Sequence, residues 1–202
     1  MMTKIHAARL DNPLSALTLH KSEGDTGERT INIQETLKPS VANRAIRELL
    51  AYESADPGTP VHMFVFSPGG CVVSGLAIID VMQHITSPVF TYAIGFAASM
   101  GAVILAAGER GHRYILPHSR VMIHQASGTL GGTLENVRAT LTFQSQLENE
   151  MEEMLATFCG RTAEEVRIAS RIENWMPASE ALRFGLVDFV LQTPSTNPAH
   201  ES

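Results

Sequence analysis

Two stretches decide the fold: VHMFVFSPGG at residues 61–70 and VFTYAIGFAASMG at residues 89–101. Each opens as a nearly unbroken apolar run and closes in small residues. A strand with one wet face alternates, whereas a strand covered on both faces reads as a continuous apolar run, as in parallel sheets flanked by helices. Ser67-Pro68-Gly69-Gly70 forces a turn, because proline fixes φ and glycine reaches backbone conformations closed to other residues. Between the two runs, Leu76, Ile79, Met82 and Ile85 recur at helical spacing. Ser74 is the expected cap of that helix, and Ser87-Pro88 its end. Strand, helix and strand in this order predict a parallel βαβ unit with a right-handed crossover.

Working outward, Ile31 and Ile33 alternate with polar neighbours and predict a strand within Arg29 to Leu37. Pro39 suits the first helical position, and Ala42, Ala45, Ile46, Leu49 and Leu50 follow on one face. Asp56-Pro57-Gly58-Thr59-Pro60 reads as a turn. After the second run, Gly95 to Ser99 reads as a tight turn and Ser99 to Ala107 as a buried helix. Arg113 to Leu116 and Val121 to His124 read as short strands. Thr133 to Phe158 is the longest helix, with Leu134, Val137, Leu141, Leu147, Met151, Met154 and Phe158 as its stripe. Glu148, Glu150, Glu152 and Glu153 fill much of its other face. A helix this long on a compact α/β domain needs something to cover the stripe, and self-association is the expectation. A helix over Ala163 to Arg171 capped by Thr162, a helix over Ala178 to Phe184 closed by Gly185, and a strand over Leu186 to Leu191 complete the reading. Residues 1–28 read as irregular and residues 193–202 as a flexible polar tail.

The 202 residues fit one domain, with 44% hydrophobic and 18% charged residues. A chain of this length buries enough surface to fold without disulfide or metal. A formal charge of -6 and the lack of a Lys/Arg stripe argue against nucleic acid as partner. Cys71 and Cys159 form no CxxC pair and no Cys/His cluster of zinc spacing, so two reduced thiols are expected. Residues 1–19 lack a signal-peptide core, and the apolar stretch 93–107 is too short and too interrupted to span a bilayer. The expectation is a cytoplasmic protein with no membrane partner.

Three places can carry chemistry. Ser99 follows a buried strand and opens an apolar helix, where unpaired N–H groups and the positive dipole end meet. Alone, it fits a helix cap as well as a nucleophile, since Ala97 stands where the hydrolase elbow has glycine. Gly69-Gly70 ends the other buried strand, and N–H groups there and after Ser99 could form an oxyanion hole. His124 ends a strand, a position more often held by a hydrogen-bonded core histidine. A serine activated by histidine also needs a group that orients the imidazole, and Glu173 and Asp188 are the nearest acids.

Together these segments closely resemble the signatures of the proteolytic subunit of the ATP-dependent Clp protease, a family of caseinolytic serine peptidases with a crotonase-like fold. Ser67-Pro68-Gly69-Gly70, Gly95-Phe96-Ala97-Ala98-Ser99-Met100-Gly101 and Pro117-His118-Ser119-Arg120-Val121-Met122-Ile123-His124-Gln125 match in order and interval. Trp175-Met176-Pro177-Ala178-Ser179-Glu180-Ala181 and Phe184-Gly185-Leu186-Val187-Asp188 resemble its C-terminal signature. The likeness covers about residues 29–190.

The resemblance implies an α/β fold of repeated ββα units with a projecting handle helix. It implies a catalytic domain over residues 29–192 and a handle over about 126–159. Ser99 would be the nucleophile, His124 the base, and the amides of Gly70 and Met100 the oxyanion hole. The strand near Gly69, with Gln125, would hold an extended peptide by β-augmentation. Counting back from Trp175 puts Glu173 where the family has its triad aspartate. The implied enzyme is a serine endopeptidase cleaving unfolded polypeptides inside stacked heptameric rings, a homo-oligomeric tetradecamer, with no metal or organic cofactor. An AAA+ unfoldase would be its partner. The chain departs from the family at Glu173, at His62 and Phe64 where tyrosines are usual, at Phe66 where asparagine is usual, and before residue 29. Two other readings share parts of this pattern: acyl-CoA chemistry on a crotonase-type fold, and a ring-forming scaffold subunit.

Overall fold

A computed structural model describes residues 29–128 and 131–191. The expectations for residues 1–28, for residues 193–202 and for part of the glycine-containing segment 128–132 lie outside the described residues. Helices and strands alternate from β1 (Thr30–Ile33), α1 (Pro39–Ala55), β2 (Val61–Ser67) and α2 (Val72–His84) to β3 (Val89–Ala98) and α3 (Met100–Ala106). Then come β4 (Arg113–Ile115), β5 (Arg120–Ile123), α4 (Leu134–Cys159), α5 (Ala163–Ser170), β6 (Asn174–Pro177), α6 (Ala178–Phe184) and β7 (Phe189–Val190). The main sheet runs β1-β2-β3-β4-β7, with every pair parallel.

The path of β3 positions the site. Its first half pairs with β4, Thr91 opposite Arg113, and its second half pairs with β5, Ala97 opposite Val121. Between them Gly95 takes φ +69, and a Cβ there would stand 2.8 Å from the Phe66 ring. The register against β2 slips at the same place, between Val65 and Ser67. The strand expected to stop before Gly95 therefore continues to Ala98. Glycine lets it bend and change partner without ending.

The core fills between the sheet and α1, α2 and α3. Ile31, Ile33, Val61, Met63 and Val65 point into it from the strands, and every residue of α3 is buried. Side chains such as Ile104 and Leu105 each contribute about 1.5–3 kcal/mol by burial. Proline opens α1 as expected, but Leu50 turns outward. Cys71, not Ser74, is the N-cap of α2, and Ser74 is buried within the first turn. Both cysteines are free. Burial pushes the Cys159 thiol up to about 11, against the pull of Arg113 and Arg161.

The long helix α4 begins at a Thr133 cap bonded to the Asn136 N–H and ends at Gly160 in the left-handed region. Its 26 residues make a rod of about 39 Å. Only its C-terminal part packs on the body, through Glu152, Leu155 and Ala156, while Leu134, Leu141 and Phe143 are exposed. Glu152, placed on the polar face by periodicity, is instead buried and paired with Arg167 of α5. The helix α5 carries a reciprocal capping box between Thr162 and Glu165. Sequence periodicity missed β6, an antiparallel neighbour of β5, and overestimated β7. Among the described residues no helix is long and apolar enough to cross a membrane.

Candidate active site

Ser99 joins β3 to α3 at φ 55 and ψ -126, the one non-glycine with positive φ among the described residues. L-residues avoid this region, so the turn holds strain that its surroundings must offset. They do so through the backbone. The Ser99 N–H donates to the Met122 carbonyl at 2.8 Å, and the Ser99 carbonyl accepts from Ala102 at 2.9 Å. The Ser99 hydroxyl makes no capping bond to its own helix. It lies 2.9 Å from Nε2 of His124, which β5 delivers one residue past its end. With the imidazole proton on Nδ1, Nε2 accepts from the hydroxyl. The sequence left nucleophile and helix cap level for Ser99, and the hydroxyl here caps nothing.

The second glycine turn packs directly on this one. At Gly69, φ is +85, and a Cβ would stand 2.7 Å from Cβ of Ser99 and 2.9 Å from the Met100 nitrogen. The Gly69 N–H donates to Ser67 Oγ at 3.1 Å, and its carbonyl accepts from Leu37 at 2.8 Å. Gly69 thus shapes the turn and has no spare N–H for a peptide. The bridge between Leu37 and Gly70 uses the Gly69 carbonyl and the Cys71 N–H, leaving the Gly70 N–H outside it. Met100 opens α3, so its N–H is among those a helix cannot satisfy. Cys71 follows Gly70, and hydrogen bonds to Ser74 hold its thiol below the ordinary value.

The two acids separate clearly. Asp188 accepts Arg113 through Nε at 2.9 Å and Nη2 at 2.6 Å, with the N–H groups of Gly111 and Arg113 on the same carboxylate. Burial pushes its carboxyl up, but these bonds and the Arg113 charge outweigh that and leave it below the usual range. Asp188 locks β4 to the segment before β7, and among the described residues no hydrogen bond joins it to His124. Glu173 is exposed, with Oε2 3.3 Å from the Trp175 indole nitrogen, and no hydrogen bond joins it to His124. The β5–β6 ladder ends with Ile123 opposite Asn174, so His124 and Glu173 each stand one residue past its last pair.

A narrow pocket opens beside Ser99 and His124, with about 30 Å³ of water-accessible volume. Its walls come from α3, the end of β5, and the packed part of α4 with α5, including Val103, Ile123, Met151, Leu155 and Val166. Gln125 and Ala126 form the rim, and the Gln125 N–H donates to the Ser170 carbonyl at 2.8 Å. Glu148 and Glu152 also line it. Sequence reading found neither as a site residue, because only the docking of α4 against α5 turns them inward.

A serine hydroxyl on an imidazole nitrogen, two main-chain donors at glycine and helix turns, and an adjoining pocket suit acyl transfer. Residues 23–194 match the family model described as Clp protease. The chain is 38% identical over 169 residues to the ATP-dependent Clp protease proteolytic subunit 2 of Bifidobacterium longum, covering 84% of this chain and 82% of that one. It is 36% identical over 183 residues to the same subunit of Thermobifida fusca, covering 91% and 90%. It is also 36% identical over 164 residues to proteolytic subunit 1 of Corynebacterium jeikeium, covering 81% and 87%. The chain belongs to the Clp protease family and is a Clp-type serine endopeptidase.

Proposed function

We propose that Ser99 is the nucleophile, His124 the general base, Glu173 the orienting acid, and the Gly70 and Met100 amides the oxyanion hole. The observation that carries this reading is the 2.9 Å approach of Ser99 Oγ to His124 Nε2, made by a hydroxyl that caps nothing. Ser99 Oγ attacks the peptide carbonyl as His124 takes its proton. The tetrahedral oxyanion turns to the Gly70 and Met100 N–H groups. The C–N bond then breaks as His124 returns the proton to the leaving amine. Water repeats the sequence on the acyl-enzyme, and Ser99 regains its hydrogen.

Glu173 enters when its carboxylate swings from Trp175 to Nδ1 of His124, across one step of the β5–β6 register. There it holds the tautomer in which Nε2 is free to accept, and it stabilises the imidazolium. An extended peptide lies along the rim, using the Gln125 carbonyl and side chain, while Gly69 supplies shape.

The catalytic domain spans residues 29–192, with a handle over about 126–159. Leu134 and Leu141, two helical turns apart and exposed, are the stripe that copies of the chain bury when handles meet between rings. The substrates are unfolded polypeptides cut inside a double heptameric ring in the cytoplasm. An AAA+ unfoldase feeds it, as the ATP dependence in the relatives' names suggests. The test is hydrolysis of short fluorogenic peptides by the purified assembly. Turnover that disappears in Ser99→Ala supports the reading, and equal turnover in that variant removes it.

A further inference from the structure

Glu148 and Glu152 are pocket groups that peptide hydrolysis does not require. They stand four residues apart on α4 and so leave the same face of the helix. Glu152 is 6% exposed and receives Arg167 Nε at 3.0 Å. The same guanidinium turns Nη1 to Glu164 at 2.7 Å. One cation therefore serves two carboxylates, neither of them Glu148. That residue is half-buried and has no hydrogen bond or ion pair with another described residue. The rest of the lining is mainly apolar, with Ser99, His124, Gln125 and Ser170 as its polar members, and the pocket is small.

These features select a shape and a charge together. A small, mainly apolar pocket favours an unbranched stem over a bulky branched or aromatic side chain. Arg167 already offsets the Glu152 charge, so Glu148, one turn away against a low-dielectric wall, is the carboxylate that attracts a cation. A side chain that lays methylenes against Val103, Met151 and Leu155 and carries a cationic head to Glu148 satisfies both conditions. The pocket lies beside the Ser99 hydroxyl, where the side chain on the acyl side of the cleaved bond comes to rest. We infer that this pocket selects lysine or arginine at the residue whose carbonyl Ser99 attacks, with Glu148 as the specificity-determining group. The inference rests on the reading of Ser99 as nucleophile.

The test uses the full-length assembly and fluorogenic peptides that differ only at that residue: lysine, arginine, norleucine or glutamate. The expected kcat/KM for lysine and arginine exceeds that for norleucine about tenfold near neutral pH, the size of a charge-assisted contact. Glu148→Gln collapses the lysine-to-norleucine ratio toward unity, and Glu148→Lys turns the preference toward glutamate. If either variant misfolds, the wild-type ratio still decides, because an ionic preference weakens at high salt. A wild-type enzyme that favours norleucine, or a lysine preference indifferent to both salt and Glu148→Gln, overturns the inference and leaves the peptidase reading intact. Failure to cleave any of the peptides overturns both.

Discussion

The Trp175 indole N–H donates to the Glu173 carboxylate at 3.3 Å, one residue past the Ile123–Asn174 pair that ends the β5–β6 ladder. In the proposed triad, Trp175 and His124 compete for that one carboxylate. Trp175→Phe keeps an aromatic ring against Phe96 and removes the competing donor. It is expected to raise kcat a few-fold, whereas Glu173→Gln lowers it about 100-fold or more by leaving the imidazole without an anionic partner. Peptide hydrolysis by the two variants checks this, and equal, unchanged rates would show that position 173 plays no part.

The Gly70 turn admits nothing larger. Its φ is +141, and a Cβ would stand 2.5 Å from the Leu37 carbonyl oxygen and 2.9 Å from the Leu37 nitrogen. Gly70→Ala must displace the N–H proposed to face the oxyanion. The expected fall in kcat is about 100- to 1,000-fold, with a smaller change in KM. Circular dichroism and steady-state kinetics on the same preparation check it. Activity within a few-fold of wild type would place the oxyanion donor elsewhere.

Arg113 and Asp188 tie β4, the segment before β7 and the end of α4 together, since Arg113 also donates to the carbonyls of Ala106 and Phe158. Asp188→Asn leaves a buried guanidinium without its counter-charge and is expected to cost about 3 kcal/mol in urea unfolding. The pH dependence has a definite sign. The folded pKa of Asp188 lies below its ordinary 3.8, so its contribution is complete above that value and is lost as pH falls through the folded one. Stability of the variant should therefore fall less steeply than wild type at acid pH.

Leu134 and Leu141 stand exposed on one stripe of α4, at 66% and 52%. Leu141→Asp is expected to shift the assembly toward smaller species in sedimentation velocity, since each such side chain buried between copies is worth about 1.5–3 kcal/mol. An unchanged sedimentation profile would put the contact between copies on another surface.

Much of this architecture was legible in the sequence because period and punctuation agreed. The apolar runs at residues 61–66 and 89–94 are strands, Pro39 opens its helix, and Thr162 caps its own. The failures share a cause. Gly95 reads locally as a stop, but its freedom at φ +69 lets β3 bend from β4 to β5, a choice set by neighbours distant in sequence. The strand β6 is four residues long and ends in proline, so no period marks it. Glu152 looks like solvent-facing charge until Arg167 of the next helix comes to meet it. At the site, the resemblance of the motifs pointed to Ser99 and His124, but only the coordinates show the hydroxyl turned from the helix to the imidazole. The resemblance had set Glu173 ahead of Asp188 as the acid, and the bonds to Arg113 occupy Asp188.

The most direct measurement is mass-spectrometric mapping of the adduct left by a fluorophosphonate probe on the intact assembly. The hydroxyl at position 99, made nucleophilic by the imidazole beside it, should carry the label. His124→Ala should slow labelling by about three orders of magnitude, and Ser99→Ala should abolish it. A label on a different residue, or one formed just as fast without the imidazole, contradicts the account.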